Sequence, residues 1–146
     1  MIQLCNAEYE GLSIGSQEIF FRPSSTEAKK LEIDIGTAGA IGLVLQSLIL
    51  PASFAKGRIE IGLKGGTAGK GAMPIEYFQH IILPAIERLG AKVRIELMKR
   101  GYYPKGGGIV KAVVEPIEKL RPLELVEREK IMGITKSLIA VNNPKI

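Results

Sequence analysis

Two cations, two tyrosines and three consecutive glycines occur together in the segment Arg100–Gly108, RGYYPKGGG. A tight hairpin turn needs only one or two residues that tolerate positive φ, so this segment carries more chemistry than its turn requires. Its glycines would let the backbone approach a ligand, and Arg100 and Lys105 could hold phosphates through charge-assisted hydrogen bonds. Tyr102 or Tyr103 could stack on a base. The spacing alone favours the alternative of a wide hairpin with bulged glycines and solvated cations.

Three further sites have weaker signals. In Asp34–Gly39, DIGTAG, small residues connect a strand to a helix, whose free N-terminal amides attract anions. Gly66–Gly71, GTAGKG, only partly matches a phosphate-binding loop, because no Ser or Thr follows Lys70. Gln46 is a polar amide within an apolar helix, and a buried amide must be satisfied by backbone, water or a ligand. Backbone or solvent is the favoured partner for it.

Neither the histidine nor the cysteine indicates a catalytic or metal site. His80, the one histidine, lies opposite the apolar side of its helix, which is the position of a solvated surface residue. No Ser/His/Asp set, Cys/His pair or metal site can be built around it. Cys5, the one cysteine, excludes internal disulfides and multi-thiolate zinc sites. The residues themselves therefore indicate a basic α/β protein with glycine-rich loops.

Bulk composition is that of one ordinary globular domain. The chain has 146 residues, 46% of them hydrophobic, and a formal net charge of +5, which is compatible with a polyanionic partner. The longest apolar run, residues 38–50, is shorter than the ~20 residues that a bilayer span needs, and the N-terminus lacks a secretory pattern. We therefore expect a cytoplasmic protein with no membrane association.

The hydrophobic pattern predicts alternating strands and helices. A strand begins at Leu31, a buried helix follows within GTAGAIGLVLQSLIL and ends at Pro51, and Arg58–Lys64 is the next strand. A second helix runs from Pro74 to Gly90, and two strands flank RGYYPKGGG. The apolar side of that second helix is predicted to contain Ile75, Phe78, Ile82, Ala85 and Leu89. This order predicts an α/β (α+β) fold, a βαβαββ unit with two helices packed on a four-stranded sheet.

Two parts of the chain share one plan. Residues 6–35 and 90–127 each contain an alternating strand, a glycine turn, a strand ending in proline and an LEI or LEL strand, which predicts a recurring unit of about 90 residues. Residues 1–29 would then be the terminal hairpin of a preceding unit, 30–116 a complete unit and 117–146 the start of a third. Missing neighbours would leave apolar sheet exposed, which predicts a partner chain or self-association. Chance patterning of strands is the alternative.

Three motifs in this order, DIGTAGAIGLVLQ, GGT followed by PIEYF, and RGYYPKGGG, resemble those of the RNA 3′-terminal phosphate cyclases. The resemblance extends from about residue 7 to about residue 135 and covers the central part of that family's longer polypeptide. It implies repeated βαβαββ units related to those of the enolpyruvyl transferases. It also implies activation of an RNA 3′-phosphate by ATP through an adenylylated histidine, leaving a 2′,3′-cyclic phosphate, with magnesium assisting at the triphosphate.

The resemblance also implies roles for individual residues. Gln46 matches the glutamine of the family that meets the nucleotide, and Pro74 matches a proline close to the adenine. Arg100 and Lys105 would lie near the phosphate of the RNA substrate, a role that we infer from their charge rather than from the family.

The chain also departs from the family pattern. The family's glycine-rich GGGQ segment and its C-terminal catalytic histidine are absent, and His80 matches no nucleophile position. Ala68 and Met73-Pro74 replace an acidic residue and a proline pair of the family. Two hypotheses follow, a central fragment of a cyclase that is inactive alone, and a noncatalytic cyclase-like module that binds RNA or supports ribosome assembly. A partner chain that supplies the missing segments would favour the first.

Overall fold

The computed structural model describes residues 1–69, 71–124 and 126. Its main element is a four-stranded sheet with strand order β3-β4-β6-β5, in which β3 and β4 are parallel and the other pairs antiparallel. The elements, in chain order, are α1 Ile2–Cys5, β1 Glu8–Glu10, β2 Phe20–Arg22, β3 Lys29–Asp34, α2 Ile41–Ser53, β4 Ile59–Gly65, α3 Ile75–Tyr77, a π-helical turn Phe78–Ile82, α4 Leu83–Arg88, β5 Lys92–Lys99 and β6 Gly108–Glu115. The α/β class and the βαβαββ order of the central part are confirmed.

The two central strands form the floor of the core because their apolar residues alternate. Ile59, Ile61 and Leu63 of β4 are buried, whereas the residues between them point to the other face of the sheet. On β6 the same alternation buries Val110 and Val114. Burying each such side chain contributes about 1.5–3 kcal/mol, and the helices cover this face alone.

Helix α2 begins and ends later than the sequence predicts. Its first residue is Ile41, whose amide donates to the carbonyl of Gly66 at 3.0 Å, so residues 36–40 form a loop rather than the first helical turn. Pro51 lies inside the helix, which continues to Ser53. Ala52 and Ser53 are buried, and the Ser53 hydroxyl donates to the carbonyl of Ile49 at 2.9 Å. This burial outweighs the backbone hydrogen bond that proline forfeits.

The apolar side of the second helix changes partway along it. Ile75 and Phe78 are buried as predicted, but Ala85 is exposed and Ile86 packs against the core instead. The π-helical turn between them widens the helix by one residue, which rotates every later side chain. Pro84, which lacks an amide hydrogen, is the second residue after this turn. The prediction for Ala85 was wrong because regular periodicity cannot anticipate a π-turn.

The open face of the sheet is charged rather than apolar. Ion pairs lie on it along the chain at Lys30–Glu32 and Arg58–Glu60 and between strands at Lys64–Asp34, with nitrogen-to-oxygen distances of 2.9, 3.0 and 2.9 Å. Water solvates this face well, whereas the terminal hairpin exposes apolar sheet as predicted, with Tyr9, Phe20 and Phe21 at 49%, 45% and 40% exposure; the missing neighbour itself stays a prediction. Large apolar side chains are exposed elsewhere, on the helices and around the β1–β2 pair.

The N-terminal residues are anchored to the sheet at β3. Leu4 of α1 belongs to the core, and the Lys29 ammonium donates to the Gln3 carbonyl and to the Asn6 side chain, both at 3.0 Å. β1 and β2 then form an antiparallel pair. Assignment of this pair to a preceding unit, and recurrence of the unit, stay predictions. Most of the segment predicted to begin a third unit lies outside the described residues.

Among the residues that the structure describes, no helix has both the length and the apolar character needed to cross a membrane.

Candidate functional site

Three loops meet at one edge of the four-stranded sheet. The first loop, residues 35–40, follows β3, and the second loop, residues 66–74, follows β4. The third loop, residues 100–107, joins β5 to β6 and returns at Gly108, which pairs with Gly65 at the end of β4. The carboxyl ends of the parallel strands β3 and β4 therefore face this edge, the place where open α/β sheets bind ligands.

Backbone hydrogen bonds hold the three loops together. The Gly66 amide donates to the carbonyl of Gly39 at 2.7 Å, and the Thr67 amide donates to that of Gly101 at 2.8 Å. The Thr67 hydroxyl accepts from the Gly101 amide and donates to the Gly101 carbonyl, both at 3.1 Å. Thr67 is buried. Sequence reasoning quoted the GGT motif but missed this role of its threonine.

The glycines of the third loop serve mainly to pack it against the other two. A Cβ on Gly106 would overlap the carbonyl oxygen of Thr37 in the first loop, and one on Gly108 would lie 2.6 Å from the Thr67 methyl group. Gly107 adopts φ 73° but has open space around its Cα. The alternative of a structural hairpin therefore accounts for Gly106 and Gly108, and only Gly107 leaves backbone open to a ligand.

Arg100 is held by a residue that sequence reasoning missed. Its guanidinium forms an ion pair with Glu76, in the first turn of α3, and this pair links the third loop to the helix that follows the second loop. The hydrogen bond with Glu76, followed by one with Tyr102, raises the pKa of Arg100 above its ordinary value. The second carboxylate oxygen of Glu76, Oε2, is buried and has no hydrogen-bond partner among the described residues. A guanidinium has five donors, so Arg100 keeps donors for a phosphate.

Gln46 and Pro74 are brought to one side of α2. Gln46 is exposed, so the prediction of a buried amide was wrong, because α2 is apolar yet covered on one side only. It lies one turn beyond Gly42, at which a Cβ would be 3.1 Å from the carbonyl oxygen of Met73. Pro74, the N-cap of α3, follows Met73 and is exposed. Helix α2 therefore contacts the second loop beside Pro74, one turn before Gln46.

The tip of the third loop presents a cation and an aromatic ring to solvent. Tyr103 is 78% exposed, and Lys105 is exposed and takes part in none of the ion pairs found within the described residues. The Gly106 amide donates to the carbonyl of Tyr102 at 2.7 Å, which closes the tip. Lys105 is thus available to an anion at this edge. Lys70, in the second loop, lies outside the described residues.

His80 is exposed on the outer side of its helix, as predicted. Within residues 1–69, 71–124 and 126, no group of three or more His, Cys, Asp or Glu side chains could hold a metal ion.

Asp34 fixes the start of the first loop. Its carboxylate accepts a hydrogen bond from the Lys64 ammonium at 2.9 Å and one from the Gly36 amide at 2.9 Å. These two bonds, that of Lys64 first, lower the pKa of Asp34. An ionised Asp34 carboxylate therefore stabilises the first residues of the loop where it leaves β3.

The close packing of Gly106 predicts a difference between two neighbouring substitutions. Gly107→Ala should cost about 1–2 kcal/mol of unfolding free energy, because it only forces a left-handed backbone on a residue with a Cβ. Gly106→Ala should cost clearly more, since the loops must also separate. Urea unfolding of both variants measures this difference, and equal losses would contradict the packing.

The lowered pKa of Asp34 predicts a titration. Because the folded-state pKa lies below the ordinary 3.8, the stabilisation from Asp34 is present above that pH and is lost as pH falls through the folded pKa. In an NMR titration the Gly36 amide signal should move with a midpoint below 3.8. Asp34→Asn should abolish the transition. A wild-type midpoint at or above the ordinary value would refute the contact.

Comparison with known proteins identifies the family. The family model described as RNA 3′-terminal phosphate cyclase matches residues 1–142. Curated proteins of that name from Methanopyrus kandleri and Pyrococcus abyssi are 43% and 42% identical over 136 and 141 residues, or 91% and 97% of this chain. These matches span only 39% and 41% of the two relatives, about two-fifths of their length. The chain belongs to the RNA 3′-terminal phosphate cyclase family.

Proposed function

We propose that this chain supplies the nucleotide-contacting and RNA-contacting part of an enzyme that converts RNA 3′-phosphate ends to 2′,3′-cyclic phosphates with ATP. One observation supports the proposal: Gly42 of α2 packs closely against Met73, so the helix that carries Gln46 contacts the second loop beside Pro74. Relatives that carry the cyclase name support the reaction. Since the chain spans about two-fifths of their length, the activity of a whole enzyme is part of the proposal.

The side chains of Gln46 and Pro74 suit a nucleotide base. Gln46 offers both a donor and an acceptor to the edge of an adenine, and the Pro74 ring offers apolar surface to its face. Both residues are exposed, so neither must lose a partner within the chain when ATP binds. The close packing of Gly42 against Met73 holds α2 against the second loop beside Pro74.

Lys105 and Arg100 would receive the RNA end. Lys105 extends from the closed tip of the third loop with no ion-pair partner among the described residues. Arg100, oriented by Glu76 and Tyr102, would add a second cationic donor at the base of that loop. Two cations on one loop match a terminal phosphate, which carries more negative charge than an internal phosphodiester.

The covalent chemistry would come from another part of the enzyme. A histidine nitrogen attacks the α-phosphorus of ATP and pyrophosphate leaves; the RNA 3′-phosphate then takes the AMP from the histidine. Attack by the neighbouring 2′-hydroxyl closes the cyclic phosphate, with loss of its proton and departure of AMP. His80 does not fit the role of nucleophile, because it lies on the outer side of its helix rather than in a loop of the site.

Magnesium, which the resemblance implies, would have to be held largely by groups other than those described. Mg²⁺ is usually bound through one or two carboxylates together with substrate phosphates, and the described residues form no cluster of metal-binding side chains. No step above depends on a metal ligand from these residues.

If His80 is not the histidine that becomes adenylylated, a labelling experiment should show it. Incubation of this chain with magnesium and ATP labelled at the α-phosphate should leave the chain unlabelled. Addition of a polypeptide that supplies the remaining part of the Pyrococcus abyssi relative should produce label on that polypeptide alone. Label on this chain would overturn the assignment. No label on either, with RNA still bound, would favour the noncatalytic module.

The proposed contact between Gln46 and ATP predicts the effect of removing the amide. When this chain is combined with the polypeptide that supplies the remaining part, Gln46→Ala should weaken ATP binding about two- to tenfold, because one hydrogen bond contributes about 0.5–1.5 kcal/mol. Ser47→Ala is the matched control, since that hydroxyl is already bonded to the Val44 carbonyl. Isothermal titration measures both affinities. Unchanged binding by Gln46→Ala would remove Gln46 from the site.

A further inference from the structure

Thr37, in the first loop, has a backbone conformation that threonine rarely adopts. Its φ is 36°, in the left-handed region, and Gly36 before it has φ 76°. Among the described residues, Asn6 is the only other residue besides the glycines with positive φ, and asparagine is one of the few residue types that visit this region readily. In a β-branched residue the conformation is an outlier, so the backbone at Thr37 is strained.

Packing of the first loop imposes this conformation without using the threonine side chain. The Thr37 carbonyl packs against Gly106 of the third loop, so closely that a Cβ on Gly106 would overlap it. The Gly39 amide donates to the Gly36 carbonyl at 3.1 Å and closes the turn around Thr37. Thr37 is exposed, and its hydroxyl has no hydrogen-bond partner among the described residues. Backbone atoms alone make these contacts, and glycine would make them without strain. Strain kept for an exposed side chain points to a role in binding.

Thr37 lies beside the two groups of the third loop that are open to a ligand. Gly106, which its carbonyl contacts, is preceded by Lys105 and followed by Gly107. Lys105 is exposed and takes part in none of the ion pairs found within the described residues. Gly107 has open space around its Cα. Since consecutive Cα atoms are about 3.8 Å apart, Lys105 and Gly107 both lie close to Thr37.

These groups suit a phosphate. Hydroxyl and backbone amide groups commonly donate to the phosphates of nucleic acids, and an ammonium adds a charge-assisted hydrogen bond. The nearest carboxylate along the chain, Asp34, is already paired with Lys64 at 2.9 Å. Building on the function proposed for the third loop, we propose that the Thr37 hydroxyl donates a hydrogen bond to the RNA 3′-phosphate that Lys105 attracts. Thr37 is then a residue that selects RNA ending in a phosphate.

Two substitutions of Thr37 separate its hydroxyl from its shape. Fluorescence anisotropy of the full chain, with an oligoribonucleotide labelled at its 5′ end, measures dissociation constants for a 3′-phosphate end and for a 3′-hydroxyl end. The wild type should bind the phosphate end more tightly. Thr37→Val keeps the β-branch but removes the hydroxyl, so it should weaken binding of the phosphate end about tenfold and leave the hydroxyl end unchanged. Thr37→Ser keeps the hydroxyl and should bind as the wild type does.

Thr37→Gly separates binding from stability. Its midpoint of urea unfolding should equal or exceed that of the wild type, because relief of strain offsets the greater freedom of glycine in the unfolded chain. Binding of the phosphate end should nevertheless weaken as in Thr37→Val. Ser13→Ala, on the exposed β1–β2 connection, is the matched control for loss of an exposed hydroxyl and should change neither quantity. A clear fall in the midpoint of Thr37→Gly would show that the side chain stabilises the loop, and would overturn the proposal.

The binding results distinguish failure of this role from failure of the proposed function. Unchanged affinity of Thr37→Val for the phosphate end would overturn the role of Thr37, and so would equal losses for Thr37→Val and Thr37→Ser. If Lys105→Gln weakens binding of the phosphate end while Thr37→Val does not, the third loop stays the phosphate site and Thr37 alone is removed from it. Equal affinity of the wild type for the two ends would overturn the function proposed for the third loop, and the role of Thr37 with it.

Discussion

The close approach of three loop backbones at one sheet edge is the constraint on which the site depends. A Cβ on Gly66 would overlap the carbonyl of Ala38, and one on Gly106 would overlap that of Thr37. Thr67 adds side-chain hydrogen bonds from the second loop to the third. These glycines are therefore required for the packing of the loops, whether or not a ligand binds there. The positions of the nucleotide and phosphate candidates follow from that packing, because each candidate lies on one of these loops or one turn into the helix that follows.

The order of helices and strands could be predicted because it depends on local patterns. Alternating burial on β4 and β6 follows from period-two spacing. The failures have tertiary causes. Pro51 stays inside α2 because the residues after it are buried, and Ala85 leaves the core because a π-turn precedes it. Gln46 was expected to be buried because its helix is apolar, yet an apolar helix can also be one whose outer side is open.

The candidate site was predictable as a set of motifs but not as a set of contacts. The sequence indicated Arg100, yet its partner Glu76 lies 24 residues away and only the fold brings them together. Thr67 and Gly101, 34 residues apart, illustrate the same point. Periodicity and spacing rules describe neighbours along the chain, so they cannot predict contacts between residues this far apart. The glycine runs could not distinguish tight backbone packing from a ligand site, because both require the absence of a side chain.

Polarity links the site to the rest of the molecule. The sheet carries its charges on the open face, and the helices carry apolar surface outward, so the two faces of the unit suit different surroundings. Gln46 lies on the uncharged outer side of α2, one turn beyond the contact of Gly42 with Met73.

Backbone NMR during titration with ATP tests directly whether the packed loops create one nucleotide site. The account predicts that amide signals around Gln46 in α2 and those next to Pro74 in the second loop shift together, with one shared dissociation constant. Shifts confined to the open sheet face or the β1–β2 pair, or different constants for the two segments, would contradict it.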